Sequence, residues 1–160
     1  MDKLLLLLLF SVVWIMVHTL QIDEEMAMRT LFEGKHAVNR AAHAAAQQLD
    51  PLALSRGEIR IDPRAAAEAG ALYLQGNLKI DETGMPLRGS KLRERAELLL
   101  FKVVDGDESF PYHYRNEAFN YEVTLQRPGV IMIVRLRNPN VFRMLEPIEW
   151  DIKGAAEVVY

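Results

Sequence analysis

An apolar run close to the beginning of the sequence limits the structures open to this chain. From Leu4 to Leu20 there is no Asp, Glu, Lys or Arg. A helix over this run would be about 26 Å long, slightly shorter than the roughly 30 Å hydrocarbon core of a bilayer. Continuing the helix through Ile22 reaches the full thickness. We therefore expect residues 1–22 to form a membrane-spanning segment.

The residues beside the run distinguish a lasting anchor from a cleaved signal peptide. A signal peptide needs a basic start and a cleavage site of the small-x-small type. Lys3 is the only basic residue before the run, and Val17-His18-Thr19 is a poor cleavage site. An uncleaved anchor is the preferred interpretation. Lys3 before the run and Asp23-Glu24-Glu25 after it predict that the amino terminus lies inside the cell. We expect a cell-membrane protein with an extracytoplasmic head.

The segment after the run is rich in alanine and should continue the same helix. Residues 26–49 are mostly strong helix formers, and Asp50-Pro51 should end the helix because the residue before a proline avoids the α conformation. We predict a helical stalk over residues 23–50, which with the apolar run makes one rod about 68 Å long. Its small side chains let another backbone approach closely. Two interpretations stay open: the stalk lies over the chain's own sheet, or it packs against other copies.

The remaining residues, 51–160, predict a small head. Asp62-Pro63 is a typical helix start, and Gly76-Asn77 is a typical helix end. Alternating apolar residues predict strands, and a tight turn at Arg127–Val130 should join two of them as a hairpin. We expect the most apolar strand at the centre of the sheet, and we expect the head to fold without the stalk. The predicted class is α+β with a mainly antiparallel sheet, which contains a helix at about 63–76 and strands at about 97–104, 118–126, 130–137 and 147–159.

Few residues of this chain suggest catalytic or binding chemistry. Cysteine is absent, which excludes disulfides, thiolate metal sites and cysteine nucleophiles. The four histidines lack metal-binding spacing, and no hydrolase, nucleotide-binding or zinc motif occurs. The aromatic residues between 110 and 121 are better explained as core than as a ligand stack. We predict no enzyme activity, no catalytic residue, no metal site and no cofactor. The net charge of −3 gives no general attraction to nucleic acid, so no nucleic-acid partner is predicted.

Three segments together resemble a known family. They are the apolar run, the stretch Ala37-Val38-Asn39-Arg40-Ala41-Ala42-His43-Ala44-Ala45-Ala46, and Gly154-Ala155-Ala156-Glu157. In this order they resemble the TadE/TadG-like group of pilin-like proteins of tight-adherence and related type IV pilus systems. The resemblance implies a structural subunit of a cell-surface filament, handled by pilus assembly machinery. It does not extend to the glycine cleavage site and the fifth-position glutamate that type IV pilins share. It therefore implies neither removal of a leader nor a buried charge pair.

In that interpretation, copies of the chain leave membrane lipid and form a homo-oligomeric helical filament, with the apolar helices bundled at its axis. The alternative is a single-pass anchored accessory or binding protein that never polymerises, whose head recognises a peptide, a glycan or an envelope component.

The residues expected to pack against lipid or other copies are Leu5, Leu8, Leu9, Val12, Val13, Ile15, Met16, Leu31, Val38, Ala41, Ala42 and Ala45. The expected charge pairs between copies involve Asp23, Glu24, Glu25, Arg29, Lys35 and Arg40, and Arg135, Arg137 and Arg143 on the head are further candidates for lateral contacts.

Overall fold

The computed structural model describes residues 2–138 and 148–159. One long apolar helix precedes a small region of antiparallel sheet, so the predicted α+β class is confirmed. In chain order the elements are α1 (Asp2–Ala46), α2 (Pro51–Ser55), α3 (Pro63–Leu78), β1 (Glu97–Val104), β2 (Tyr112–Asn116), β3 (Tyr121–Leu125), β4 (Gly129–Asn138) and β5 (Ile148–Glu157).

Helix α1 is one unbroken rod, as the run of helix formers predicts. It has 45 residues, which corresponds to about 68 Å. It ends at Ala46, a few residues before the predicted stop, because Leu49 pairs with Ile61 in an isolated β-bridge. A short helix that was not predicted follows it. Asp50 accepts hydrogen bonds from the backbone N–H of Leu52 (2.8 Å) and Ala53 (3.4 Å), and Pro51 occupies the first turn of a short helix, α2.

Helix α3 begins where the sequence predicts and ends later. The Asp62 side chain accepts from the backbone N–H of Arg64 (2.9 Å) and Ala65 (3.1 Å), which is the expected N-cap. The predicted stop at Gly76-Asn77 is wrong because the helix continues to Leu78. Leu78 is buried one turn after the buried Leu74. Burying that side chain outweighs the roughly 1 kcal/mol cost of a glycine inside a helix.

The three-stranded sheet has the order β1-β4-β5, and all its neighbouring strands are antiparallel. The bounds predicted for β1 are confirmed, but its predicted place at the centre is wrong. Strand β4 is central, and every residue from Val130 to Val134 is at most 1% exposed. The last strand was predicted to begin at Pro147, and strand β5 begins at Ile148. Pro147 and Arg143 lie outside the described residues.

The hairpin predicted between strands 118–126 and 130–137 is also wrong. Strand β3 instead pairs with β2, a strand that the sequence analysis did not predict, in a separate two-stranded sheet. The turn after β3 carries the chain into the larger sheet, where Gly129 pairs with Glu157. A Cβ atom at Gly129 would lie 2.4 Å from the carbonyl oxygen of Ala156. The glycine is therefore needed where β4 meets β5, and it does not mark a tight turn back onto β3.

The second part of α1 packs with α3 on one face of the three-stranded sheet, and the β2–β3 hairpin covers the opposite face. A Cβ atom at Gly154 of β5 would lie 2.8 Å from Cγ1 of Val38, so this glycine lets the helix approach the sheet closely. The expected separation into a stalk and an independent head is not what the structure has, because one buried cluster contains residues of both. Its members include Ala37, Val38, Ala41, Ala42, Leu74, Leu78, Met132, Val134, Leu136 and Ile152.

Candidate functional site

The candidate site is the exposed part of α1, from its beginning to about Phe32. Large apolar side chains stand out from this part of the helix on all sides, and none of the residues from 2 to 18 is buried. By length and composition α1 is the one helix of the described chain that could cross a membrane. A membrane anchor and a signal sequence both meet this description. The seven residues predicted to pack in this part are 51–71% exposed: Leu5, Leu8, Leu9, Val12, Val13, Ile15 and Met16.

The packing residues predicted farther along the helix lie elsewhere. Val38, Ala41, Ala42 and Ala45 are fully buried against the chain's own sheet and α3. Leu31 is half-buried and packs against the same core. The assignment of these five residues to contacts between copies is therefore corrected. Of the two interpretations of the alanine stretch, the structure selects packing on the chain's own head.

Two residues of the candidate site were missed by the sequence analysis. Met28 is 44% exposed and Phe32 is 59% exposed. They extend the exposed apolar surface beyond the charged residues at 23–25. Their spacing of four residues was a usable signal, because such a pair shares one helix face. The alanines on the opposite face are a more prominent packing signal in the sequence.

Most of the residues predicted to form charge pairs between copies have a polar partner within the chain, but one ion pair is formed among them. Arg29 pairs with Glu25 one turn earlier, and the Lys35 ammonium donates to the carbonyl oxygen of Lys153. Arg40 Nη1 donates to Asn77 Oδ1 at 2.9 Å. Asp23 is half-buried and Glu24 is exposed. Within the described residues Glu24 has no partner.

Arginines proposed for lateral contacts on the head also have partners on their own sheet. Arg135 Nε donates to Asp151 Oδ1 at 2.7 Å, and Nη2 donates to the other carboxylate oxygen at 3.0 Å. Arg137 Nε donates to Glu149 at 2.7 Å and lies 3.6 Å from Glu97. These pairs form a charged row across all three strands.

The ion pair between Arg135 and Asp151 predicts a dependence of stability on pH. The hydrogen bond from Arg135 holds the pKa of the Asp151 carboxyl below its ordinary value. The pair therefore stabilises the fold above about pH 4, the ordinary pKa of an aspartate, and this contribution is lost as the pH falls through the lowered pKa. In thermal unfolding of the detergent-solubilised chain, Asp151→Asn should lower the midpoint at pH 7, and the difference from wild type should shrink towards pH 3. A difference that stays constant with pH would contradict this role.

The remaining polar residues do not converge on one site. His18 stacks on Trp14, with ring centroids 4.0 Å apart, while His36 and His43 are exposed on α1. His113 Nδ1 lies 2.8 Å from Thr124 Oγ1 on the β2–β3 hairpin. Among the described residues there is no group of three His, Cys, Asp or Glu side chains that could hold a metal ion.

Four of the five aromatic residues between 110 and 121 pack in the core, as predicted. Phe110, Tyr112, Tyr114 and Tyr121 pack against the buried Val104, Leu125 and Ile131. Burial raises the pKa of Tyr121. Lys102 Nζ donates to the Tyr112 hydroxyl at 2.6 Å and lies 5.1 Å from the centre of that ring. The fifth residue of the group, Phe119, is half-buried outside this cluster.

Comparison of the chain with protein-family models, with curated proteins and with solved structures finds no match. Its fold and its exposed helix therefore carry the functional argument by themselves.

Proposed function

We propose that this protein is a structural, pilin-like subunit that is anchored in the cell membrane and assembles into a filament through the exposed part of α1. One observation carries the proposal: a single unbroken helix has one end held in the core of the head and the other end apolar on every side. Within the described residues, the apolar end of this helix has no partner. Membrane lipid before assembly and other copies afterwards would supply that partner.

Burial of apolar surface supplies the driving force in each environment. In water, removing apolar surface is favourable by about 25 cal/mol per Å². Leu4 to Leu9 are each 57–73% exposed, so free chains in water would associate strongly. In lipid this force vanishes, and helix association depends on close packing alone. Bundling outside the membrane would thus offset the cost of leaving lipid.

A second candidate function is a solitary anchored protein whose head binds a component of the envelope. The burial of Val38, Ala41 and Ala42 on the chain's own head favours it, because this part of the helix needs no other copy. The exposed Met28 and Phe32 favour the filament, since a solitary anchor would leave two large apolar side chains in water beyond the membrane.

The experiment that separates the two candidates is electron microscopy of material sheared from the cell surface, with mass spectrometry to identify the chain. Wild-type cells should yield filaments that contain it. Leu8→Asp should abolish them, because an aspartate within a membrane helix is unfavourable, by about 3 kcal/mol at the centre of the helix, and would be unfavourable inside a bundle of apolar helices as well.

Leu8→Ile is the matched control, since it keeps an apolar side chain of the same size at the same position. It should give wild-type filament yield. Filaments at wild-type yield from Leu8→Asp would refute an apolar core, and a chain found solely in the membrane fraction as a monomer would favour the solitary anchor.

A further inference from the structure

A basic groove lies between α1 and the end of α3. Its volume is about 430 Å³, and its charged side chains are Arg40, Lys79 and Lys91 with a single carboxylate, Glu33; His36 also lines it. Lys91 pairs with Glu33, and Arg40 is hydrogen-bonded to a neutral amide. In the described part of the chain Lys79 has no acidic partner. The basic groove therefore has a surplus of positive charge, although the whole chain has a net charge of −3.

The acidic segment Asp23-Glu24-Glu25 has the complementary charge, but it cannot reach the groove of its own chain. The acidic segment and one side of the groove belong to the same unbroken helix, and His36 follows Glu24 by 12 residues. That separation corresponds to about 18 Å along the axis. A second copy, displaced along the helix by this distance, would bring its Glu24 level with the groove.

The exposed apolar surface of α1 is compatible with the same displacement. Leu20, which lies near the end of the stretch without charged residues, is 52% exposed. On the described helix the last large exposed apolar side chain is Phe32, 12 residues after Leu20. A shift of about 18 Å therefore places Leu20 of one copy beside Phe32 of the next copy.

The side chains involved also lie on continuous helix faces. Val17, Leu20 and Glu24 are spaced by three and four residues, so they form one ridge. Met28, Phe32 and His36 are spaced by four residues and form another ridge, which ends at the groove. The first ridge of one copy can pack along the second ridge of another, apolar against apolar and acid against base.

We propose that copies of this chain associate with their α1 helices parallel and staggered by about 18 Å, so that Leu20 lies beside Phe32 of the next copy and Glu24 enters its basic groove. This inference rests on the proposed filament function. Because a staggered parallel contact joins two different surfaces, it repeats without closing and builds a filament. Two copies anchored at one depth in a bilayer have their acidic segments level and do not make this contact.

Disulfide cross-linking measures the stagger directly, since the chain contains no cysteine. The double variant Leu20→Cys/Phe32→Cys has its two thiols about 18 Å apart within one chain, well beyond the 4.4–6.8 Å Cα separation of a disulfide. Oxidised filaments should give a ladder of dimers, trimers and larger products on a denaturing gel. The same chains in the membrane fraction should give none.

The control pair Leu20→Cys/Asn39→Cys tests a different stagger, about 28 Å, on an exposed position of the same helix. It should give no ladder. In the cross-linking background, Glu24→Lys should reduce the ladder about tenfold, because it places a like charge at the basic groove, and adding Lys79→Glu should restore it.

Each result decides a different point. Filaments of the Leu20→Cys/Phe32→Cys chain without a ladder would overturn the stagger and leave the filament function standing. Absence of filaments from wild-type cells would overturn the proposed function and this inference with it. If Glu24→Lys does not reduce the ladder, the placement of Glu24 in the basic groove is wrong. The basic groove would then be a binding site for a free anion such as phosphate.

Discussion

A fragment of residues 23–160 is expected to be a folded monomer in solution, whereas a fragment of residues 51–160 is expected to aggregate. The shorter fragment lacks the part of α1 that covers Met132, Val134 and Leu136, which are at most 1% exposed in the whole chain. Exposing such a face costs about 25 cal/mol per Å² and leaves an apolar patch that favours association. Size-exclusion chromatography and circular dichroism of both fragments make the comparison.

The fragment 23–160 is the matched control, because it removes the apolar run and keeps every buried residue of α1. Its remaining exposed apolar residues on that helix, Met28 and Phe32, form a small surface. A monomeric fragment 51–160 with cooperative thermal unfolding would show that the head has a sufficient core of its own, and the structural account of α1 as part of that core would be wrong.

Ala42→Glu in the fragment 23–160 is expected to abolish folding. Ala42 is 0% exposed and lies in the cluster between α1, α3 and the sheet. A carboxylate there has no partner, and burying it should cost about 4 kcal/mol or more, a large share of the 5–15 kcal/mol stability of a typical domain. Thermal unfolding followed by circular dichroism measures the loss.

The neighbouring exposed residue provides the control for this substitution. His43→Glu introduces the same side chain one position later, in water. It should change the free energy of unfolding by about 1 kcal/mol at most, the cost of an acidic side chain near the end of a helix. If Ala42→Glu and His43→Glu unfolded at the same temperature, burial of Ala42 would not be important to the fold.

Local chemistry predicted the helices better than the arrangement of the strands. The Asp-Pro signal correctly marks the start of α3 at Asp62-Pro63, and the same signal at Asp50-Pro51 marks α2. Interpreted as a helix stop, Asp50-Pro51 predicts the end of α1 and not the start of α2. Strand pairing depends on residues far apart in sequence. The sequence of strand β1 predicts a central strand because it is almost continuously apolar, yet the strand lies at an edge of the sheet, where α3 covers part of it.

The candidate site was predictable where composition decided it. A run without charged residues has to leave water, whatever the rest of the chain does. The surface against which the alanine stretch packs was not predictable from composition. Small residues suit both a helix that packs on a sheet and a helix that packs on another helix. The close approach of Val38 to Gly154 decides between them, and that contact joins residues 116 positions apart.

The contact between Val38 and Gly154 also limits the order in which the parts of the molecule can fold. During synthesis α1 emerges first, and its core-facing side has no sheet to cover until β4 and β5 have been made about a hundred residues later. Contacts of such long range form slowly. If α1 enters lipid as it emerges, the helix is inserted before its core-facing side has a sheet to pack on. Insertion of the helix and folding of the head would therefore be separate steps, in that order.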